Sequence, residues 1–225
     1  MTPSVSPEEL MRLDLLLASD ETDVPPLVVQ TYSFLKSLGI RFRLSRNEMA
    51  RSCMDASNKR HRGGRIGIPL YDELKSLYCG YTDHRSRFVF LIAHCRADRR
   101  VNFRSVQQLL GARSRPQLLS REKLYDLGLE CGIVNPFEDA NEYAIDGRFM
   151  SAPVLHVFDE DVLASVSLPG TMMTNAGSLT WAVEFWPREF VAAMEKSLEK
   201  VVVGDIGMAE ANEVARRSYQ RWLTR

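Results

Sequence analysis

The run Phe88-Val89-Phe90-Leu91-Ile92-Ala93 constrains the fold more than any other segment of the 225-residue chain. Successive residues of a strand point to opposite faces, so a segment apolar at both parities must be covered on both sides. It reads as a central buried strand. Ile40, Phe42 and Leu44 alternate instead with Arg41 and Arg43, the pattern of a strand with one wet, basic face.

Helical signals surround these strands. Pro25-Pro26 breaks the chain, Val28, Tyr32 and Leu35 recur at helical spacing, and Gly39 suits a helix C-terminus. Residues 103–110 are amphipathic and end at Gly111, Ser120 can cap a helix reaching Leu127, and Pro187 opens one reaching about Lys200. Short strands are expected at 74–78, 154–158 and 179–185. A last helix over about 208–223 would carry Ala211, Ala215, Ser218 and Trp222 on one side. Strands and helices alternate irregularly, so the class is mixed α+β. Residues 1–22 read as an N-terminal extension, with Ser6 as a helix cap, 23–200 as the main domain, and 201–225 as a C-terminal helical extension.

Several function classes fall away. No apolar run approaches the roughly 18–20 residues that cross a bilayer, and residues 1–14 lack the basic and apolar regions of a signal peptide, which points to the cytoplasm. Cys53, Cys79, Cys95 and Cys131 are scattered without a C-x-x-C pair. Reduced thiols are expected, with no disulfide framework and no metal site. G-x-S-x-G, Walker A, G-x-G-x-x-G and H-E-x-x-H motifs are missing, and His61, His84, His94 and His156 read as isolated. Chemistry here should rest on positioning and electrostatics, without a cofactor.

Charge is uneven. Residues 41–125 hold 19 Lys+Arg against 7 Asp+Glu, a net +12. Whole-chain totals are 29 and 29, so the other 140 residues carry −12. The basic part could hold a polyanion, or it could be a solvated face paired with acids from the rest.

Three segments invite a closer look. Lys75 sits among apolar neighbours in Leu74-Lys75-Ser76-Leu77-Tyr78; it is a pocket cation if the sheet curls, and an ordinary edge lysine otherwise. Gly132-Ile133-Val134-Asn135-Pro136 can aim backbone N–H groups at an oxyanion, or be a plain turn. Asn175-Ala176-Gly177-Ser178 is common turn chemistry between two strands.

Taken in order, these segments resemble the YbaK and prolyl-tRNA synthetase editing-domain family, which includes the ProXp trans-editing proteins. LKSLYCGYTDHRSRFVFLIAHCRADRRVNFRSVQQLLGA resembles its lysine strand, hairpin strand and following helix. YDLGLECGIVNPF resembles the approach to its G-x-x-x-P loop, VLHVFDEDVL its V-x-x-D-x-x-L strand, and MMTNAGSLTWAVEFWPREFVAAM its closing strands and helix. FLKSLGIRFRLSRNEMARSCMDA resembles the opening helix, strand and loop, with Asn47-Glu48-Met49 where the family often has His-Glu-Pro. The resemblance spans about residues 27–195.

It implies a mixed sheet curled into a partly closed barrel, surrounded by helices. It implies an aminoacyl-tRNA deacylase, with aminoacyl-tRNA as partner and an aminoacyl-tRNA synthetase as a second one. Lys75 matches the functional lysine, and Gly132 and Pro136 match the ends of the oxyanion-binding loop, with Ile133, Val134 and Asn135 between them. Asn175, Ala176 and Gly177 match the pocket-edge turn, Asp159 the strand-end aspartate, and Ser52 a small hydroxyl residue lining the pocket. The basic stretch 57–65, with Lys59, Arg60, Arg62 and Arg65, is the expected tRNA contact. Two rivals stand beside this reading: a non-catalytic tRNA- or synthetase-binding module of the same fold, and a deacylase for a small ester unrelated to tRNA.

Overall fold

The computed structural model describes residues 24–86, 88–126, 132–137, 142–145, 148–151, 155–164, 170–197 and 201–209. The expected Ser6 cap, Cys131 and the helix beyond residue 209 lie outside them.

Helix α1 (Pro26–Ser37) starts on Pro25-Pro26 and buries Val28, Thr31, Tyr32 and Leu35 on one side. Gly39 follows with φ +65°, a conformation that costs glycine little. Strand β1 (Phe42–Arg46) pairs antiparallel with β12 (Trp181–Phe185), which pairs with β11 (Met172–Ser178). Phe42 is buried while Arg43 faces out, as the alternation requires.

The second sheet has five strands in the order β13 (Val201–Gly204), β10 (Leu155–Asp159), β5 (Phe88–Arg96), β4 (Leu74–Thr82), β7 (Gln117–Leu118). The apolar run lies in β5 at the centre of this sheet, and residues 91–95 are all buried. Leu91, Ala93 and Cys95 pack in one cluster with Val106, from α3 (Phe103–Leu110). Ile92 packs in another, with Tyr78 and Leu124. Asn102 caps α3, accepting from the backbone N–H groups of Arg104 and Ser105, and Gly111 ends it at φ +58°. The main core joins α1 and the β1-β12-β11 sheet to β10 and α6 (Pro187–Ser197) through Phe137, Phe158, Phe185 and Phe190. Their rings meet edge to face, with Phe137 and Phe185 centroids 5.2 Å apart.

Smaller pieces complete the described chain. They are α2 (Cys53–Lys59), the hairpin β2 (His61–Arg62) and β3 (Arg65–Ile66), β6 (Arg99–Val101), α4 (Arg121–Asp126), the pair β8 (Glu142–Ile145) and β9 (Arg148–Ser151), α5 (Glu160–Leu163), and β14 (Gly207–Ala209).

The mixed α+β class stands, with two corrections to its details. The sheets form no closed barrel among the described residues. β4 forms no ladder with β11, the one bridge there being from Glu73, just before β4, to Met173, and its ladder with β7 is confined to Cys79 and Gly80. The ladder that would close a ring is therefore absent along residues 74–77. The expected helical character after residue 200 also fails for 201–209. Val201–Gly204 adds to the five-stranded sheet parallel to β10, and Met208 lies in β14 against Arg100 of β6. No helix among the described residues is long and apolar enough to cross a membrane.

Candidate functional site

The unpaired stretch of β4 is where a cavity opens. It encloses about 230 Å³. Residues 50–53 of the loop and first turn of α2 line it, as do Glu73, residues 74–77 of β4, Gly132 and Val134, Thr174, Asn175 and Ser178 of β11, and Leu179 of the turn after it. Backbone parity says what β4 offers there. Leu119 N–H donates to the Tyr78 carbonyl at 3.0 Å, and the Thr174 hydroxyl donates to the Leu74 carbonyl at 3.3 Å. Residues 74 and 78 thus present their backbone groups to the outer edge. Ser76, at the same parity, presents its own N–H and C=O to the cavity.

The loop and the turn hold each other. Asn175 Nδ2 donates to the Val134 carbonyl at 2.8 Å, and Asn175 Oδ1 accepts from Gly177 N–H at 2.9 Å. A register shift between Asn175 and Ser178 marks a bulge, and Gly177 takes φ +84° inside it. A Cβ on Gly177 would lie 2.7 Å from Leu27 Cβ, so α1 packs directly on the bulge. Asn135 closes the other loop, accepting from Phe137 N–H at 2.8 Å and donating to the Ile133 carbonyl at 3.2 Å. Gly132 needs its missing side chain, with φ +96° and Leu179 Cδ2 3.2 Å from the position of a Cβ.

Of the residues expected at the site, Ser52, Lys75, Gly132, Val134 and Asn175 line the cavity, and Arg60 does so from its wall. Ser52 is the N-cap of α2 and accepts from Asp55 N–H at 3.1 Å. Lys75 is half-buried, and its ammonium donates to the Arg99 carbonyl. Ile133, Asn135, Pro136, Ala176 and Gly177 stand behind the lining, in the loop and the bulge. Asp159 lies elsewhere. It is fully buried, accepts from Gly207 N–H at 3.0 Å, and has Arg99 3.7 Å away. It fastens β14 to the end of β10.

The basic stretch 57–65 is not the free loop its sequence suggests. Its first residues complete α2, and the rest form the β2-β3 hairpin. Arg60 is buried and bidentate to Glu73, at 2.9 and 3.1 Å. Arg62 pairs with Asp72 at 2.5 Å and Glu184 at 3.2 Å, and donates to the Thr171 carbonyl. Lys59 pairs with Asp55 at 2.9 Å and donates to the Met49 carbonyl. Arg65 is exposed, as are Arg43, Arg46 and Arg51. Asn47 is buried and accepts from His61 N–H at 3.0 Å, tying the hairpin to the end of β1.

Electrostatics narrows the chemistry. Burial pushes the Cys53 thiol up to about 11, and the charge of Glu73 adds to the rise. A thiol held that high stays protonated near neutral pH and is a poor nucleophile. Among the described residues no group of three or more His, Cys, Asp or Glu could hold a metal ion. The polar groups along the cavity are Lys75, the paired Arg60 and Glu73, Arg51, Asn175 and the hydroxyls of Ser52, Ser76, Thr174 and Ser178. Glu73, Ser76 and Thr174 were missed as lining residues. Lys75 marked the strand, and the neighbours of that lysine were the available signal.

No protein-family model matches the chain, and no curated protein does. Solved structures do. Hypothetical protein APE2540 is 20% identical at TM-score 0.57, covering 80% of this chain and 99% of its own. A scaffold protein used for computational epitope backbone grafting is 16% identical at TM-score 0.56, covering 83% and 100%. A protein provisionally described as a trans-editing enzyme for prolyl tRNA synthetase is 14% identical at TM-score 0.58, covering 83% and 100%. The chain shares the fold of these proteins.

Proposed function

We propose that the cavity hydrolyses the ester between a small amino acid and a tRNA, editing mischarged aminoacyl-tRNA in trans. The observation that carries this reading is convergence. Lys75, Gly132 and Asn175 are far apart in sequence, match the deacylase family's motif positions, and line one cavity. The shared fold with a protein provisionally described as a trans-editing enzyme supports it further.

The chemistry required is modest, because an aminoacyl ester is already activated. The attacking group is a water, or a hydroxyl or thiol of the substrate itself, and the developing oxyanion needs fixed donors more than a nucleophilic side chain. The backbone at Gly132–Val134 is held by Asn175 and can supply N–H groups without reorganising. An ammonium carries three N–H donors. One of those on Lys75 serves the Arg99 carbonyl, leaving two for the ester oxygen or the terminal ribose. The cavity, at about 230 Å³, is below the roughly 300–1,000 Å³ of pockets that enclose drug-sized ligands. That size suits a short acyl group, with the nucleotide at the mouth.

Tests follow from both halves of the substrate. Across tRNAs charged with alanine, serine, cysteine, threonine and proline, release of a small amino acid should be fast and correctly charged prolyl-tRNA should stay largely intact. Equal rates for small and large acyl groups would remove the size filter. The polyanion should meet the arginines that are exposed. Changing Arg46, Arg51 and Arg65 together to Glu should weaken tRNA binding, and binding should fall steeply with salt as counterions are released. Affinity indifferent to salt and to these changes would make the basic region a solvated surface.

A further inference from the structure

Behind the cavity wall lies a hydrogen-bonded chain that the deacylation chemistry above does not use. Register places Ser76 directly opposite His94 on the β4-β5 ladder. Ser76 Oγ is 2.9 Å from His94 Nδ1, and His94 Nε2 is 3.0 Å from His156 Nδ1. Both imidazoles are buried, their planes lie within 7° of each other, and His94 also stacks on Phe158 at 4.3 Å. Burial drives the His94 imidazole well below its ordinary range, and the neighbouring His156 pushes the same way, so His94 is neutral.

A neutral imidazole has one N–H, so the two bonds of this chain must run in the same direction. Either Ser76 donates to His94, which donates to His156, or both bonds are reversed. The Nε2–H tautomer is the intrinsically favoured form of neutral histidine. Only the first direction leaves His94 in it. In that direction the Ser76 proton is committed to His94, and Oγ turns lone pairs alone toward the cavity. The Ser76 carbonyl faces the same edge. One residue thus offers two acceptors beside its backbone N–H, and no hydroxyl donor, at the cavity wall.

We infer that Ser76, oriented by His94 and His156, recognises the α-ammonium of the aminoacyl group. This rests on the deacylase reading for the ester but names a separate feature of its substrate. Aminoacyl esters differ from peptidyl and N-acylated esters in carrying that free ammonium. Its N–H donors match the paired Ser76 oxygens, while an N-acyl amide brings one donor and a bulky carbonyl. Ser76 is the contact and specificity residue. His94 and His156 are positioning residues.

The test uses the full-length protein with 3′-alanylamino-3′-deoxyadenosine, in which an amide replaces the ester, and with its N-acetyl form. Wild-type protein should prefer the free amine by about tenfold or more, the scale of one hydrogen bond to a charged group. Ser76→Ala should lose the preference while still binding, and Ser76→Thr should keep it. Imidazole ¹⁵N shifts should report His94 and His156 protonated on Nε2, and they should move on binding the free amine. Equal affinity for the two forms, a preference unchanged in Ser76→Ala, or a His94 protonated on Nδ1 would overturn the inference. The two readings separate cleanly. Preference for the free amine without amino-acid release from any charged tRNA defeats the deacylase reading alone, and release without that preference defeats this inference alone.

Discussion

Lys75→Ala is expected to slow single-turnover release of the amino acid from charged tRNA by about a hundredfold or more. One well-placed charged donor lost from a transition state costs on the order of 3–4 kcal/mol. The fold should survive. Lys75 is only half-buried, and its one described hydrogen bond, to the Arg99 carbonyl, is of the charged-donor kind worth about 1.5–3 kcal/mol net. Lys75→Arg should rescue poorly, since a planar fork does not replace a compact ammonium in a small cavity. Circular dichroism on both variants separates loss of chemistry from loss of fold. A folded Lys75→Ala variant with near wild-type rates would assign the lysine to the Arg99 carbonyl alone. It would then favour a tRNA-binding module over an enzyme.

The second large effect concerns the cavity wall. Glu73→Ala removes both oxygens that Arg60 reaches, at 2.9 and 3.1 Å, and strands a guanidinium whose side chain is 3% exposed. A charge buried without its partner costs about 3–5 kcal/mol, so chemical denaturation should show a loss of that order. Replacing the pair together, Arg60→Met with Glu73→Leu, should recover most of the stability. Such a swap trades two desolvated charges for apolar contact of similar volume. A loss below about 1 kcal/mol in Glu73→Ala would mean that water reaches Arg60 and that the wall is open. Arg60, paired with Glu73, and Arg62, paired with Asp72 and Glu184, hold the fold and are poor probes of tRNA binding.

The sequence told most where local chemistry decides the structure. The apolar run of β5 could only be central, and Gly111 could end a helix, whereas Asn175-Ala176-Gly177-Ser178, expected as the turn, lies inside β11 as a bulge and the chain turns at Leu179-Thr180. Lys75, Gly132 and Asn175, singled out in the sequence on a resemblance, line one cavity. What stayed hidden depends on pairing across distance. Arg60 and Arg62 look like a free basic loop until Glu73, Asp72 and Glu184 arrive from other elements. His94 looks isolated until the β4-β5 register sets Ser76 opposite it and the parallel β10 brings His156 alongside. Closure of the sheet was overestimated for the same reason. Strand pattern gives the faces of β4 and β11, but not the single bridge, from Glu73 just before β4, that links them. Helical character is expected over 201–209, but tertiary pairing sets Val201–Gly204 beside β10 and Gly207–Ala209 against β6.

The most direct measurement is the first-order rate of amino-acid release from mischarged tRNA with wild-type protein in excess, set against spontaneous hydrolysis of the same ester. The account predicts at least one tRNA carrying alanine, serine, cysteine or threonine that is deacylated far faster than its spontaneous rate. Rates equal to spontaneous hydrolysis for every charged tRNA in a complete panel would contradict it.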